Sequence, residues 1–258
     1  MTLPTRLRLL PIATLLLTPS AFGAEPEVPA WAQPGSATHV QVPPPKDFHR
    51  ETTTWHDPIG IFDGQSEIGS ALVAGHASHD AATGRYTLAA AGYNIWYTRD
   101  EFRFLWKEMS GDVSLAADVI FPNPQGYDDR KVVLIFRQDL DDDAKEMMVG
   151  LHGVGMAHLA QRPAKAMEIK EEARVWARPK GFDTSKAPTR VGIEKRGDRF
   201  TFYVSEEGGP LKQVGEPAEM ALKEPFYVGV GFTSHLPVTL DSAILSEVVL
   251  ENEAGRVK

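Results

Sequence analysis

Between Ile59 and Glu251 the chain repeats one pattern: a short run of alternating apolar and polar residues, a turn former, then another run. Alternation with period two covers one side of an extended strand and leaves the other side polar. A chain built from it must therefore fold as sheets with a buried face. Such runs occupy 59–62, 85–90, 102–107, 113–121, 131–137, 147–152, 156–162, 190–195, 199–205, 226–232 and 244–251. Turn formers separate them at Asp63-Gly64, Thr83-Gly84, Ser110-Gly111-Asp112, 122–126, Gly197-Asp198 and Glu207-Gly208-Gly209. Gly197-Asp198, set between two alternating runs, predicts a tight hairpin. So many strands with almost no helical periodicity predict an all-β fold: two antiparallel sheets face to face, as in a jelly-roll sandwich. The exception is 164–177. Lys170, Glu171 and Glu172 suit a helix there, whereas Ala173-Arg174-Val175-Trp176 suits a strand, and both readings stand. With no internal repeat, 59–253 reads as one sandwich domain and 254–258 as a tail.

Strand parity also assigns faces. Val113, Leu115, Ala117, Val119 and Phe121 share one side of their strand, and Phe200, Phe202 and Val204 share one side of theirs. The run Lys131–Arg137 is apolar on both sides, which predicts a central strand covered on both faces. The same parity sends Arg137, His152, His158 and Arg162 to the side opposite the Val/Leu face. A cationic, hydrogen-bonding side that also carries apolar residues suits a polar, ring-shaped ligand lying in a concavity of the sheet. Gln161 adds an amide nearby, and Trp96 and Trp106 either supply a flat platform for sugar stacking or belong to the core. His235, at a strand exit, is a rim candidate. The competing reading closes strand ends by salt bridges from Arg137 and Arg162 to Asp139 or Glu146, and a single bulge would scatter the group.

The ends and the charge limit the setting. Arg6 and Arg8, the apolar run 9–17 and the small residues Ala21 and Gly23 describe a signal peptide over 1–23, cut before Ala24 or one residue later. The apolar run falls short of the roughly 20 residues that span a bilayer. Residues 24–58 hold seven prolines and read as a linker or strap. The chain has no cysteine, which excludes disulfides, thiolate nucleophiles, thiolate zinc sites and a lipid anchor on a leading cysteine. A periplasmic or secreted protein is the expectation, with no membrane insertion once the leader is cleaved. Net charge is −8, and −10 once 1–23 is removed, which opposes binding to nucleic acid.

The stretches 92–107 and 110–115, with the hairpin Arg190–Ser205, resemble the concanavalin A-like lectin/glucanase sandwiches. More narrowly, 61–253 resembles small periplasmic sandwich proteins labelled as Tol biopolymer-transport proteins, some of which join the sandwich to a TolB-type propeller. No propeller part is recognised here, so the resemblance implies the fold and carries over no transport role. The superfamily hosts lectins, glycosidases, glycan-binding modules and structural domains.

Catalytic motifs are sparse. Retaining glucanases of this fold place two carboxylates about 5 Å apart on one strand face in a Glu-x-Asp-x-x-Glu pattern, which is missing here. Glu168, Glu171 and Glu172 read as a solvated face. Asp118 and Glu194 stand alone as acid/base candidates or as salt-bridge or ligand partners. Asp139–Asp143 fails the calcium-loop pattern at Ala144 and Gly150. No cofactor is expected, although Asp63-Gly64 with Ser66 and Glu67 is a site where a structural Ca²⁺ would fit a sandwich of this kind. The expected function is binding of an oligosaccharide or envelope glycan without catalysis, through Arg137, His152, His158, Gln161, Arg162, Trp96, Trp106 and Glu194. One alternative is a hydrolase or lyase acting on glycosides or oxidised sugars, with His152 or His158 as base and Asp118 or Glu194 as acid. Another is a structural module that docks an envelope protein.

Overall fold

A computed structural model describes Ala30 and residues 49–257. The expected signal peptide and most of the proline-rich segment lie outside the described residues. In chain order the strands are β1 (Thr53–Trp55), β2 (Gly64–Ile68), β3 (His76–Asp80), β4 (Arg85–Ala90), β5 (Ile95–Trp96) and β6 (Arg99–Asp100). They continue with β7 (Phe102–Met109), β8 (Val113–Ile120), β9 (Lys131–Arg137), β10 (Glu146–His152), β11 (Met156–Arg162) and β12 (Lys170–Trp176). The last are β13 (Thr189–Arg196), β14 (Arg199–Ser205), β15 (Leu211–Glu219), β16 (Phe226–Thr233) and β17 (Asp241–Glu251).

Two sheets result. The front sheet has the order β1-β2-β7-β16-β9-β10-β11-β12 and the back sheet β15-β14-β13-β8-β17-β4-β3, while β5 and β6 pair only with each other. The pairings within both large sheets are antiparallel. The core lies between the sheets. Leu134, Phe136, Val149, Leu159, Val228 and Phe232 enter it from the front, and Leu88, Leu115, Ile193, Phe202 and Leu245 from the back. Core entry takes every second residue, as Val132, Leu134 and Phe136 do along β9 and Val113, Leu115, Ala117 and Val119 along β8, so the alternation in the sequence is the pattern of core entry.

Three edge features depart from the sequence reading. Ile59–Phe62 is not a strand but a tight turn closed by Ile59 N–H to Phe62 O at 3.0 Å, with Gly60 at φ +60°. The strand begins after it, at Gly64, so Asp63-Gly64 is a strand entry rather than the turn. β3 and β15 carry no alternation in the sequence because they are edge strands. His76–Asp80 is polar on both sides, and Leu211–Glu219 carries Gly215 and Pro217 within a shifted register. The ambiguous stretch 164–177 resolves as turns followed by β12. Pairing with β11 outweighs helix propensity there, with one extra residue on β12 opposite Leu159/Ala160. β1 lies within the proline-rich segment, and the 254–258 tail packs on the back sheet through Gly255 N–H to Glu194 and Arg256 N–H to Ser114.

Candidate functional site

The outer face of the front sheet is not left to a ligand alone. Val133, Ile135, Met148 and Ala160 point outward from β9, β10 and β11, and the chain's own segment 91–101 lies across them, with Ile95 buried in the cluster and Trp96 against it. This flap is the β5–β6 hairpin. It is held from below by charge. Arg162 grips both oxygens of Asp100 at 2.6 and 2.8 Å, and Arg137 Nη1 donates to Asp100 Oδ2 at 2.8 Å. Glu146 completes the set, contacting Arg137 and lying 3.4 Å from Arg162. All four side chains are fully buried. Burial alone would raise the Asp100 carboxyl, but Arg162 and Arg137 together hold it below the usual carboxylate range. Burial and the adjacent Asp100 push Glu146 up to about 7.

This corrects the sequence reading of the two arginines. Parity placed them on the expected side, but they clamp the flap and have no free donor face for a sugar. The competing salt-bridge reading was half right: Glu146 is a partner, whereas Asp139 contributes its carbonyl to Arg137 rather than its carboxylate.

Beside the flap the same face opens into a hollow of about 380 Å³. Lys131, His152 and His158 reach it from β9, β10 and β11, and Glu171 and Arg174 from β12. Asn94, Trp96 and Tyr97 come from the flap, and Asp129 and His235 from loops at the strand ends. The Trp96 ring lies 5.2 Å from that of His158, and the His158 ring 5.1 Å edge-on from that of His152. Lys131 Nζ donates to the flap carbonyl of Ile95 at 2.9 Å and faces the Trp96 ring at 5.1 Å. His235, at φ +63°, stacks on Tyr127.

The polar groups of this hollow are poorly matched by the protein. Both ring nitrogens of His152, Nε2 of His158 and Nδ1 of His235 are buried without a hydrogen-bond partner among the described residues. The nearest carboxylates stand off, with Asp129 at 3.6 Å from His152 Nδ1 and Glu171 at 3.7 Å from His158 Nδ1. Glu171 instead takes Arg174 in a two-point pair. Burial lowers His152 to about 4 against the pull of Asp129, and lowers His235 to about 3. Burial, then His152, Lys131 and Arg174, keep His158 well below the ordinary imidazole range. Burial likewise brings Lys131 down to about 8, against the attraction of Asp100 and Asp129. At neutral pH the hollow thus presents three neutral imidazoles, each able to donate and accept, and one buried ammonium.

Of the residues singled out from the sequence, His152, His158 and Trp96 meet here. Trp106 does not. It is buried, donates to Ser66 Oγ at 2.9 Å and packs edge-on against His56 and Tyr227. Gln161 sits opposite Met147, a core residue, so parity turns it away from His158, and it donates to Glu172 at 2.6 Å. Glu194 lies on the outer side of the back sheet, bonded to Arg196 and Gly255, and Asp118 pairs with Arg190 on that same side. Neither carboxylate can share a substrate with His152. The calcium candidates do not converge either: Asp63 pairs with Lys107, Ser66 takes Trp106, and Glu67 pairs with Arg103. His49, Asp142 and Asp143 can bring one ligand atom each within 4.8 Å of one another, but the Lys165 ammonium sits 2.7 Å from Asp143.

The sequence reading missed Lys131, Asp129, Asn94, Tyr97, Glu171 and Arg174. Lys131 was legible, since it shares parity with Val133, Ile135 and Arg137 on one strand. The flap residues carried no such signal, because nothing local says where a loop folds back. Gly150 fits between these groups: a Cβ built there would meet His158 Nε2 at 2.5 Å. Gly150→Ala is expected to displace the His158 ring and cost about 1–3 kcal/mol in a urea melt; an unchanged midpoint would show that the ring is not confined.

The chain matches no protein-family model, and no curated protein matches it in sequence. Solved structures do resemble it. A functionally unknown protein from Saccharomyces cerevisiae superposes with a TM-score of 0.50 at 16% identity, over 70% of this chain and 97% of that one. A carbohydrate-binding module from Bacillus subtilis gives 0.47 at 12% identity over 79% and 96%, and an alginate lyase of polysaccharide lyase family 7 gives 0.40 at 12% over 68% and 82%. The narrower likeness to Tol-labelled periplasmic proteins finds no support among them. What is shared is the fold: two large antiparallel sheets packed face to face as a sandwich.

Proposed function

We propose that this protein binds a carbohydrate in the hollow beside the flap and does not transform it. One observation carries the reading: buried imidazole nitrogens of His152, His158 and His235, unpaired among the described residues, surround a polar hollow edged by Trp96. Buried polar groups are normally satisfied, so such a set marks a place where a partner completes them. Sugar hydroxyls both donate and accept, as a neutral imidazole does, and an indole suits the apolar face of a sugar ring. The volume falls within the usual range for small-ligand sites. The expected leader places the ligand among extracellular or envelope glycans.

A glycan array followed by titration calorimetry tests this. Trp96→Ala and His158→Ala should each weaken binding about 10–100-fold, the equivalent of 1.4–2.8 kcal/mol, while circular dichroism stays unchanged. No glycan bound at millimolar concentration, or equal binding by both variants, would overturn the reading.

A second reading rests on His152, a neutral imidazole with a carboxylate, Asp129, 3.6 Å from one nitrogen. A general base can be arranged in this way. Turnover of a bound oligosaccharide, lost in His152→Ala, would favour an enzyme; binding without turnover would leave the first reading.

A further inference from the structure

The charges lining the hollow speak to the class of sugar, an inference that rests on the carbohydrate reading. Arg174 is neutralised by its two-point pair with Glu171 at the rim. Asp129 is partly exposed and stands 3.6 Å from His152. Lys131 differs from both. It is 1% exposed, and no carboxylate among the described residues lies within the 4.0 Å of an ion pair. Among the described residues its ammonium touches the Ile95 carbonyl and the Trp96 ring, while Asp100, Asp129, Glu146 and Glu171 attract it from beyond ion-pair distance. A buried cation without a direct ion-pair partner is costly, and an anion that reaches it regains part of that cost.

We propose that the ligand carries a carboxylate, as a uronic acid or other acidic sugar does, and that this carboxylate seats against Lys131 beside the edge-on pair of His152 and His158 rings. Both rings line the hollow beside Lys131 and carry nitrogens without a partner among the described residues, which an anion entering there would meet. A neutral sugar would satisfy the imidazoles but leave Lys131 as it is.

The proposal has a proton signature. The groups facing Lys131, His152 and His158 are Asp129 from the loop before β9, Glu171 and Arg174 from β12, His235 from the loop after β16, and Tyr97 from the flap. Asp100 and Glu146 act from beneath. Of these, the imidazoles are neutral at pH 7, held so by burial and by Lys131. A carboxylate seated against Lys131 favours its charged form, so near pH 8, where that charge is being lost, binding should draw protons from solution. Above about pH 8 Lys131 itself loses its charge, so affinity should fall there.

The test uses the full chain and titration calorimetry with oligomers of galacturonate, glucuronate and alginate, each against neutral oligomers of galactose, glucose and mannose. The acidic oligomers should bind at least tenfold more tightly, and more tightly at pH 6.5 than at pH 9. Proton uptake should appear near pH 8 when two buffers of different ionisation heat are compared. Lys131→Met should erase the preference; if that variant fails to fold, the pH dependence and proton uptake of the unaltered chain decide. Neutral oligomers binding as tightly as acidic ones, or binding without proton uptake, would overturn this inference and leave the carbohydrate reading standing. Binding of neither class overturns both.

Discussion

Arg162→Met is expected to destabilise the protein by about 3–5 kcal/mol, because it strips one of the two cations from a fully buried carboxylate pair. Arg162 supplies two of the three hydrogen bonds to Asp100, and it also donates to the carbonyls of Met167 and Ala144. Without it, Asp100 and Glu146 share Arg137 alone inside an apolar surround of Val133, Ile135 and Met148. Two carboxyls then compete for one guanidinium, so one of them must take up a proton or draw in water. The flap should loosen as well, and since Asn94, Trp96 and Tyr97 ride on it, glycan binding should fall with stability. Urea denaturation measures the first effect, and amide exchange over 91–101 the second. A loss under about 1 kcal/mol would show that the clamp is dispensable. Replacing Asp100, Glu146, Arg137 and Arg162 together with apolar residues of similar volume should cost far less than the single change, because no charge is left unpaired.

Acidification is the second large effect. His152 has a folded-state value of about 4 against an ordinary 6.5. Between those values the unfolded chain holds a proton that the folded chain refuses, so stability rises with pH across that window and erodes as pH falls through it. For His152 alone the difference is about 3 kcal/mol over the whole window. His158 and His235 shift in the same direction. Glu146 works the other way: its folded value of about 7 lies above the ordinary 4.5, so acid strengthens the native state there. Three imidazoles outweigh one carboxyl, and the urea midpoint should drop between about pH 6.5 and 4.5. His152→Gln should flatten the slope. A midpoint that holds or rises on acidification would show that these rings are charged in the folded protein, and the account of the hollow would fail with it.

Parity along β9, β10 and β11 was readable from the chain because it is local: residue i and residue i+2 point the same way whatever lies beyond the strand. That is why the sandwich, its core positions and the common side of Arg137, His152, His158 and Arg162 could be anticipated. Edge strands were harder. His76–Asp80 and Leu211–Glu219 bury little, so they carry no apolar rhythm. What meets the outward side chains is another kind of fact. Asp100 finds Arg137 across 37 positions of chain and Arg162 across 62, and the contact exists only because the segment 91–101 folds back over the front sheet. The fold decided that two arginines became a clamp while two histidines one strand-length away stayed open to a hollow. Those four residues have the same periodicity in the sequence; they differ only in which distant backbone came to rest on them.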